Sequence, residues 1–354
     1  MQTIRMDMRL SVDPAGIAKA GQILRDGGLV AFPTETVYGL GGDALNASSS
    51  VRIYEAKGRP SDNPLIVHIA KIDDLKPLTS DLPESAMALA KAFWPGPLTM
   101  ILPKSDLVPK ETTGGLDTVA VRMPSHPAAL ALIEAAGGYV AAPSANTSGR
   151  PSPTTAAHVL EDLDGRIDCV IDGGQVGIGI ESTIVDLTSP VPQVLRPGYI
   201  SLEMLGGVLG EVIMDKGLEP GSDVHPKAPG MKYRHYAPKA ELIIVEGREE
   251  DVIRKIDTLA REDEASGKKV GIIAASESAG AYGCGIVRTI GTRSDALTIS
   301  SHLYALLREF DELGAERIYS EAFEEGQLGE AIMNRLLKAA GHHVIRTQEG
   351  STKS

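Results

Sequence analysis

Four cations in the first 200 residues, Lys57, Arg59, Arg122 and Arg196, stand among the glycines and small polar side chains from which anion-binding loops are built. Lys57-Gly58-Arg59-Pro60 sets two of them around one glycine. A fixed pair of this kind suits phosphate or carboxylate; it also reads as a solvated helix C-terminus favoured by the macrodipole. Arg122 ends the alternating run Thr118-Val119-Ala120-Val121 and precedes Met123-Pro124. Its guanidinium suits either a surface ion pair or a carboxylate gripped by two parallel hydrogen bonds. Thr34-Glu35-Thr36 follows the apolar run Leu29–Phe32, and His68 interrupts Leu65–Ile69, where a satisfied strand histidine fits as well as a ligand. The loop from Pro143 to Ser152 leaves the apolar pair Ala141-Ala142 and is nearly all small and polar. Hydroxyls and an amide delivered this way can meet phosphate and ribose without adding charge. Ser182 follows a glycine-rich turn, and Arg196 opens Arg196-Pro197-Gly198.

These residues need strand ends and helix ends to hold them. Apolar runs predict strands at Leu29–Phe32, Leu65–Ile69, Leu98–Leu102, Val119–Met123, Tyr139–Ala142, Cys169–Ile171, Thr183–Leu187 and Gln193–Leu195. Helical spacing predicts helices at Asp13–Asp26, Ser48–Ala56, Glu84–Phe93, Pro127–Ala136 and Thr154–Glu161. Short and Pro-rich links between strands predict a mixed sheet. Tyr38 to Gly42 is expected to be a glycine turn, and the polar groups are expected to gather at strand ends. From Leu242 onward strands and helices alternate cleanly, predicting a small Rossmann-like second domain. Between the two, residues 217–240 carry many Pro and Gly and no clear period, as a linker does.

The 354 residues allow two domains. A net charge of −12, with acidic residues in excess in both halves, disfavours broad nonspecific nucleic-acid binding. No stretch approaches the roughly 18 apolar residues of a membrane span, and the N-terminus lacks a signal-peptide core, so a cytoplasmic protein without membrane contact is expected. Cys169 and Cys284 are far apart and suggest neither disulfide nor zinc. Gly39 to Ala44 formally matches G-x-G-x-x-A, but no acidic residue ends a second strand at the required offset. No P-loop, H-E-x-x-H or G-x-S-x-G is present.

Taken as strings, PTETVYGLG and then KGRPSDNPL closely resemble the threonylcarbamoyl-AMP synthase family, whose catalytic domain is of the YrdC type. WPGPLT, SAN…SG, STIVD and RPG, ending at Gly198, match further segments of that family. The likeness is strong over about residues 10–200 and weaker over 217–345, which resembles the linker and extra domain of longer members. It implies a YrdC-type twisted mixed sheet with helices at 1–210, a linker or lid at 211–240, and a smaller parallel α/β domain at 241–354.

The resemblance also implies a nucleotidyltransferase that takes L-threonine, bicarbonate and ATP and makes threonylcarbamoyl-AMP. The product would pass to a separate tRNA threonylcarbamoyl transferase; a weak contact with tRNA itself is left open. By the same resemblance Thr36, His68, Arg122, Ser182 and the Ala142 backbone hold threonine. Arg59, Asn63, Thr118, Ser144, Asn146, Ser152, Arg196 and Tyr236 hold ATP. Lys57 and Arg59 are the catalytic candidates, Lys57 toward carbonate or carbamate. Mg2+ is expected to arrive with ATP, not at a protein metal site. Three anionic groups brought together need cations and positioning more than a nucleophile. The linker's Arg234, His235 and Tyr236 are expected to fold over the cleft and exclude water. The competing class is an RNA-binding module with a basic cleft. The acidic totals, and the absence of stacking aromatics beside Lys57 and Arg59, favour the enzyme.

Overall fold

The computed structural model describes residues 2–215, 235–324 and 326–347. Most of the expected linker, 216–234, lies outside the described residues. The chain separates into two compact units: residues 1–148 with 152–233, and residues 149–151 with 234–354.

The strands of the first unit are β1 (Ile4–Asp7), β2 (Val30–Phe32), β3 (Gly39–Asp43), β4 (Ile66–His68), β5 (Leu98–Pro103), β6 (Thr118–Arg122), β7 (Val140–Ala141), β8 (Cys169–Asp172), β9 (Thr183–Asp186), β10 (Gln193–Arg196) and β11 (Ile213–Met214). They form one mixed sheet in the order β1-β8-β2-β3-β7-β4-β6-β5-β9-β10-β11. The mixture was expected, and it appears as parallel β4/β6 beside antiparallel β5/β6 and β3/β7.

Both faces are covered. Leu29 and Ala31 belong to one apolar cluster and Val30 and Phe32 to another, because neighbours on a strand point to opposite faces. Burial on both sides is why these strands read as unbroken apolar runs. Helices α1 (Pro14–Arg25) and α4 (Pro127–Ala135) fill one face with Ile17, Leu24, Leu132 and Ile133. Asp13 caps α1 by accepting from the Ala15 and Gly16 amides, with Pro14 in the first turn. On the other face lie α2 (Ala47–Lys57), α3 (Glu84–Phe93), α5 (Ala156–Leu163) and α6 (Leu202–Leu209), which supply Ile53, Leu89, Val159 and Leu205. Gly58 closes α2 in the left-handed region at φ 61°, and so delivers Arg59 at once to the loop that follows.

Two expectations change here. Gly39 to Asp43 is a strand, not a turn. Its glycines allow close approach: a Cβ on Gly41 would lie 2.9 Å from Val140 Cγ1 and 3.0 Å from Phe32 Cε1. Residues 213–214, expected to begin the linker, add β11 alongside β10.

The second unit carries β12 (Glu241–Glu246), β13 (Val270–Ala275), β14 (Ile286–Gly291), β15 (Arg317–Glu321) and β16 (Val344–Arg346), with α7 (Glu249–Ala265), α8 (Ala296–Glu312) and α9 (Gly329–Ala339). The sheet is parallel throughout, in the order β14-β13-β15-β12-β16. It is a parallel α/β sheet as expected, with β15 inserted between the first two strands.

Candidate active site

The expected site residues form polar groups on the first unit's sheet. In the first, Arg122 at the end of β6 is buried and pairs in register with His68 of β4. Its Nη1 donates to Thr36 Oγ1 at 2.9 Å, its Nη2 to Glu35 Oε1 at 2.6 Å, and its Nε to the Gly96 carbonyl at 3.4 Å. The other Glu35 oxygen accepts from the Ser125 amide at 3.1 Å. Burial alone would raise the Glu35 carboxyl; the charge and hydrogen bond of Arg122 overcome it and hold the group below its ordinary range. His68 is pushed down to about 3, first by burial and then by the Arg122 charge, so its ring is neutral. Its Nδ1 lies 3.1 Å from the Ile66 carbonyl, and the Val140 backbone also hydrogen-bonds the ring.

The Thr34–Thr36 segment is held by its neighbours. Thr34 Oγ1 donates to the Val37 carbonyl at 2.6 Å and meets Thr36 Oγ1 at 2.9 Å. The Ile178 and Gly179 amides donate to the carbonyls of Glu35 and Thr36.

A second group surrounds Lys57, which is buried at the end of α2. Its ammonium donates to the Ser144 carbonyl at 2.5 Å and to the Asn146 carbonyl, while Ser144 Oγ donates to Asn146 Oδ1 at 2.6 Å. Lys57 thus ties down the loop that was expected to face ATP. Arg59 folds back on the carbonyls of Asn63 and Pro64 at 3.2 and 3.1 Å. Buried Asn63 Oδ1 has no hydrogen-bond partner among the described residues. Thr118 opens β6.

In the third group, Ser182 Oγ contacts Thr99 Oγ1 at 2.8 Å and accepts from Arg196 Nη2 at 3.2 Å. Thr99 is the register partner of Arg122 across β5 and β6, which joins this group to the first. Ser152 Oγ donates to Glu181 Oε1 at 2.6 Å. The Ala142 amide is already engaged, donating to the Ile66 carbonyl at 2.9 Å.

The polar groups stand at strand ends, but not all at the same end of the sheet. His68 and Arg122 close β4 and β6, whereas Asn63 and Thr118 stand at the opposite ends of the same strands. At about 3.3 Å per residue such short strands span little more than 10–17 Å, so the groups lie across the sheet. Tyr236 falls in the second unit, stacked on Tyr304 with ring centroids 5.2 Å apart. Three residues without an expected role enter the site: Glu35, Thr99 and Glu181. Glu35 stood in plain view inside Thr34-Glu35-Thr36, but an acidic residue has no evident use in a string chosen for binding anions.

Comparisons with known proteins give the family. A family model described as telomere recombination (Sua5/YciO/YrdC) matches residues 22–198, and one described as the threonylcarbamoyl-AMP synthase C-terminal domain matches residues 200–341. A threonylcarbamoyl-AMP synthase of Pyrococcus abyssi is 51% identical over 97% of this chain and 99% of its own length. The chain belongs to the threonylcarbamoyl-AMP synthase family. A Bacillus subtilis threonylcarbamoyl-AMP synthase is likewise 51% identical, over 95% of this chain and 96% of its own. The crystal structure of P. abyssi Sua5 complexed with L-threonine superposes with a TM-score of 0.93, at 50% identity over 98% of this chain and all of that one. The mixed α/β architecture is therefore that of solved threonylcarbamoyl-AMP synthases.

Proposed function

We propose that this protein is an L-threonylcarbamoyladenylate synthase, a nucleotidyltransferase serving the threonylcarbamoyladenosine modification of tRNA. Threonine nitrogen and bicarbonate form a carbamate with loss of water. A carbamate oxygen attacks the α-phosphorus of ATP, that phosphorus forms a new P–O bond, and pyrophosphate leaves. The observation that carries the reading is the state of Arg122. A guanidinium has five N–H donors. Three are taken, one on each nitrogen, and the two that remain, one on each terminal nitrogen, have no partner among the described residues. Spare donors on both terminal nitrogens of a buried, pre-positioned guanidinium suit a substrate carboxylate.

Around that anchor, neutral His68, Thr36, Ser182 and the Ala142 backbone complete the threonine subsite. Arg59, Asn63, Thr118, Ser144, Asn146, Ser152 and Arg196 receive ATP, with the unpartnered Asn63 Oδ1 open to a donor on the nucleotide. Lys57 acts chiefly by fixing the Ser144–Asn146 loop, which sets the triphosphate against the carbamate. Tyr236 is assigned to the nucleotide on resemblance alone. Mg2+ would come with the substrate, as MgATP, held chiefly by its phosphates and waters. No helix of the described residues is long and apolar enough to cross a membrane, and the reading places the reaction in the cytoplasm, with the product passed to a tRNA-modifying transferase.

The test is pyrophosphate release from ATP. It should require threonine and bicarbonate together. Release that does not depend on threonine would overturn the threonine reading, and RNA binding with no release at all would replace it by the RNA-binding one.

A further inference from the structure

We infer that Glu35 is a positioning residue for the substrate carboxylate, acting through Arg122; the inference rests on the threonine-binding reading above. Glu35 joins two separate elements. One of its oxygens takes Arg122 Nη2 at 2.6 Å, and the other takes the Ser125 amide just beyond β6 at 3.1 Å. The guanidinium of a long, flexible side chain is thereby fixed at both terminal nitrogens, at Nη1 by Thr36 and at Nη2 by Glu35. A fork fixed in plane and in rotation holds its remaining N–H group on each terminal nitrogen in one place for the substrate. Glu35 also supplies the charge that a buried guanidinium needs when no substrate is present. The other ionisable groups that act on it are His126, whose ring is held down by burial, and neutral His68. Neither is a counter-ion, so the pair is Glu35 with Arg122 alone.

The experiment compares full-length E35Q, E35D, R122A and the E35Q/R122A double variant with wild type. Pyrophosphate release is followed with threonine and ATP varied separately, and thermal melting is recorded for each. E35Q should raise the threonine KM by roughly tenfold, the loss expected for one charge-assisted hydrogen bond. The ATP KM and kcat should stay within about twofold, because nothing that touches the nucleotide has moved. E35D keeps the charge but draws it back by one methylene, and should recover part of the loss. In the R122A background E35Q should add no further rise in KM, since Glu35 acts only through that arginine. The inference is overturned if E35Q leaves the threonine KM within about twofold of wild type, if it shifts both substrates equally, or if its effect multiplies with that of R122A. Should E35Q melt below the assay temperature, E35D decides, and an unchanged threonine KM there is equally fatal. An R122A enzyme with normal threonine KM would instead sink the underlying reading. Loss in R122A with none in E35Q would sink only the role of Glu35.

Discussion

Each unit buries a carboxylate against an arginine, and the two pairs are built differently. In the second unit Glu321 accepts from Ser278 Oγ at 2.5 Å, Tyr282 Oη at 2.7 Å, Arg293 Nη2 at 2.5 Å and the Ala275 amide at 3.2 Å. Its two oxygens have about four lone-pair sites, and all are filled by fixed donors. In the first unit the surplus lies on the arginine: Glu35 takes one N–H of Arg122, Thr36 and Gly96 take two more, and two are left over. A carboxylate whose acceptor sites are all filled contributes to structure, because its donors would be costly to leave unpaired. A cluster with donors to spare on a buried cation has room for a ligand. Burial and charge pairing alone do not separate the two cases, nor do spare arginine donors, since Arg293 Nε has no partner among the described residues; what differs is the carboxylate, which meets four donors at Glu321 and two at Glu35.

That contrast can be broken by substitution. Removing Glu321 strands Arg293 together with two buried hydroxyls. Glu321→Ala should lower unfolding stability by about 3–5 kcal/mol, the usual consequence of leaving a buried charge unpaired. The threonine KM should hardly change. Denaturant titration beside steady-state kinetics checks both, and a raised threonine KM at near-native stability would erase the distinction. Arg122→Lys should do the reverse. An ammonium cannot reproduce the two parallel donors, so threonine binding should weaken by about 1.5–3 kcal/mol while ATP binding holds. Calorimetry giving native threonine affinity would remove Arg122 from the site.

Lys57 tests whether a buried cation that meets only its own chain is structural or functional. Lys57→Ala should leave threonine affinity nearly intact and lower kcat/KM for ATP by roughly tenfold, through the released Ser144–Asn146 loop. Equal losses for both substrates would mark a general structural role.

Near neutral pH the smallest effect belongs to His68. Folded His68 resists protonation down to about 3, whereas an unfolded histidine takes up its proton near pH 6.5. Between those values the unfolded chain holds the extra proton, so stability rises with pH, by at most about 1.4 kcal/mol per pH unit from this group. His68→Gln should flatten the stability profile just below pH 6.5; an unchanged slope would mean that His68 is not buried neutral. The depressed Glu35 carboxyl has the same sign at lower pH, its contribution being lost as pH falls through the carboxylate range.

What could be read from the sequence follows the distance over which each signal acts. The end of α2 at Lys57, the strand that carries Arg122 and the small polar loop at Ser144 are local patterns of period and turn chemistry, and they were legible. The family resemblance carried the rest of the reading, and the family models match it in both parts of the chain. Pairings between remote residues were not legible. Glu35 and Arg122 are 87 residues apart, and Thr99 and Ser182 are 83 apart. The glycines of β3 were misread because a residue without a side chain fits a tight turn and a close strand contact equally well. β1 stayed hidden because its polar, largely exposed sequence Ile4-Arg5-Met6-Asp7 lacks the apolar run of a central strand.

The coupling of Glu35 to Arg122 also bears on how a substrate reaches the site. The pair is neutral before threonine arrives, and the chain as a whole carries a charge of −12. Threonine is a zwitterion. Beyond a Debye length, about 8 Å at physiological ionic strength, it meets no positive field from this arginine to draw it in. On the proposed reading, encounter with this arginine is then ordinary diffusion, and the choice of amino acid is made at contact, where the guanidinium is already held in place.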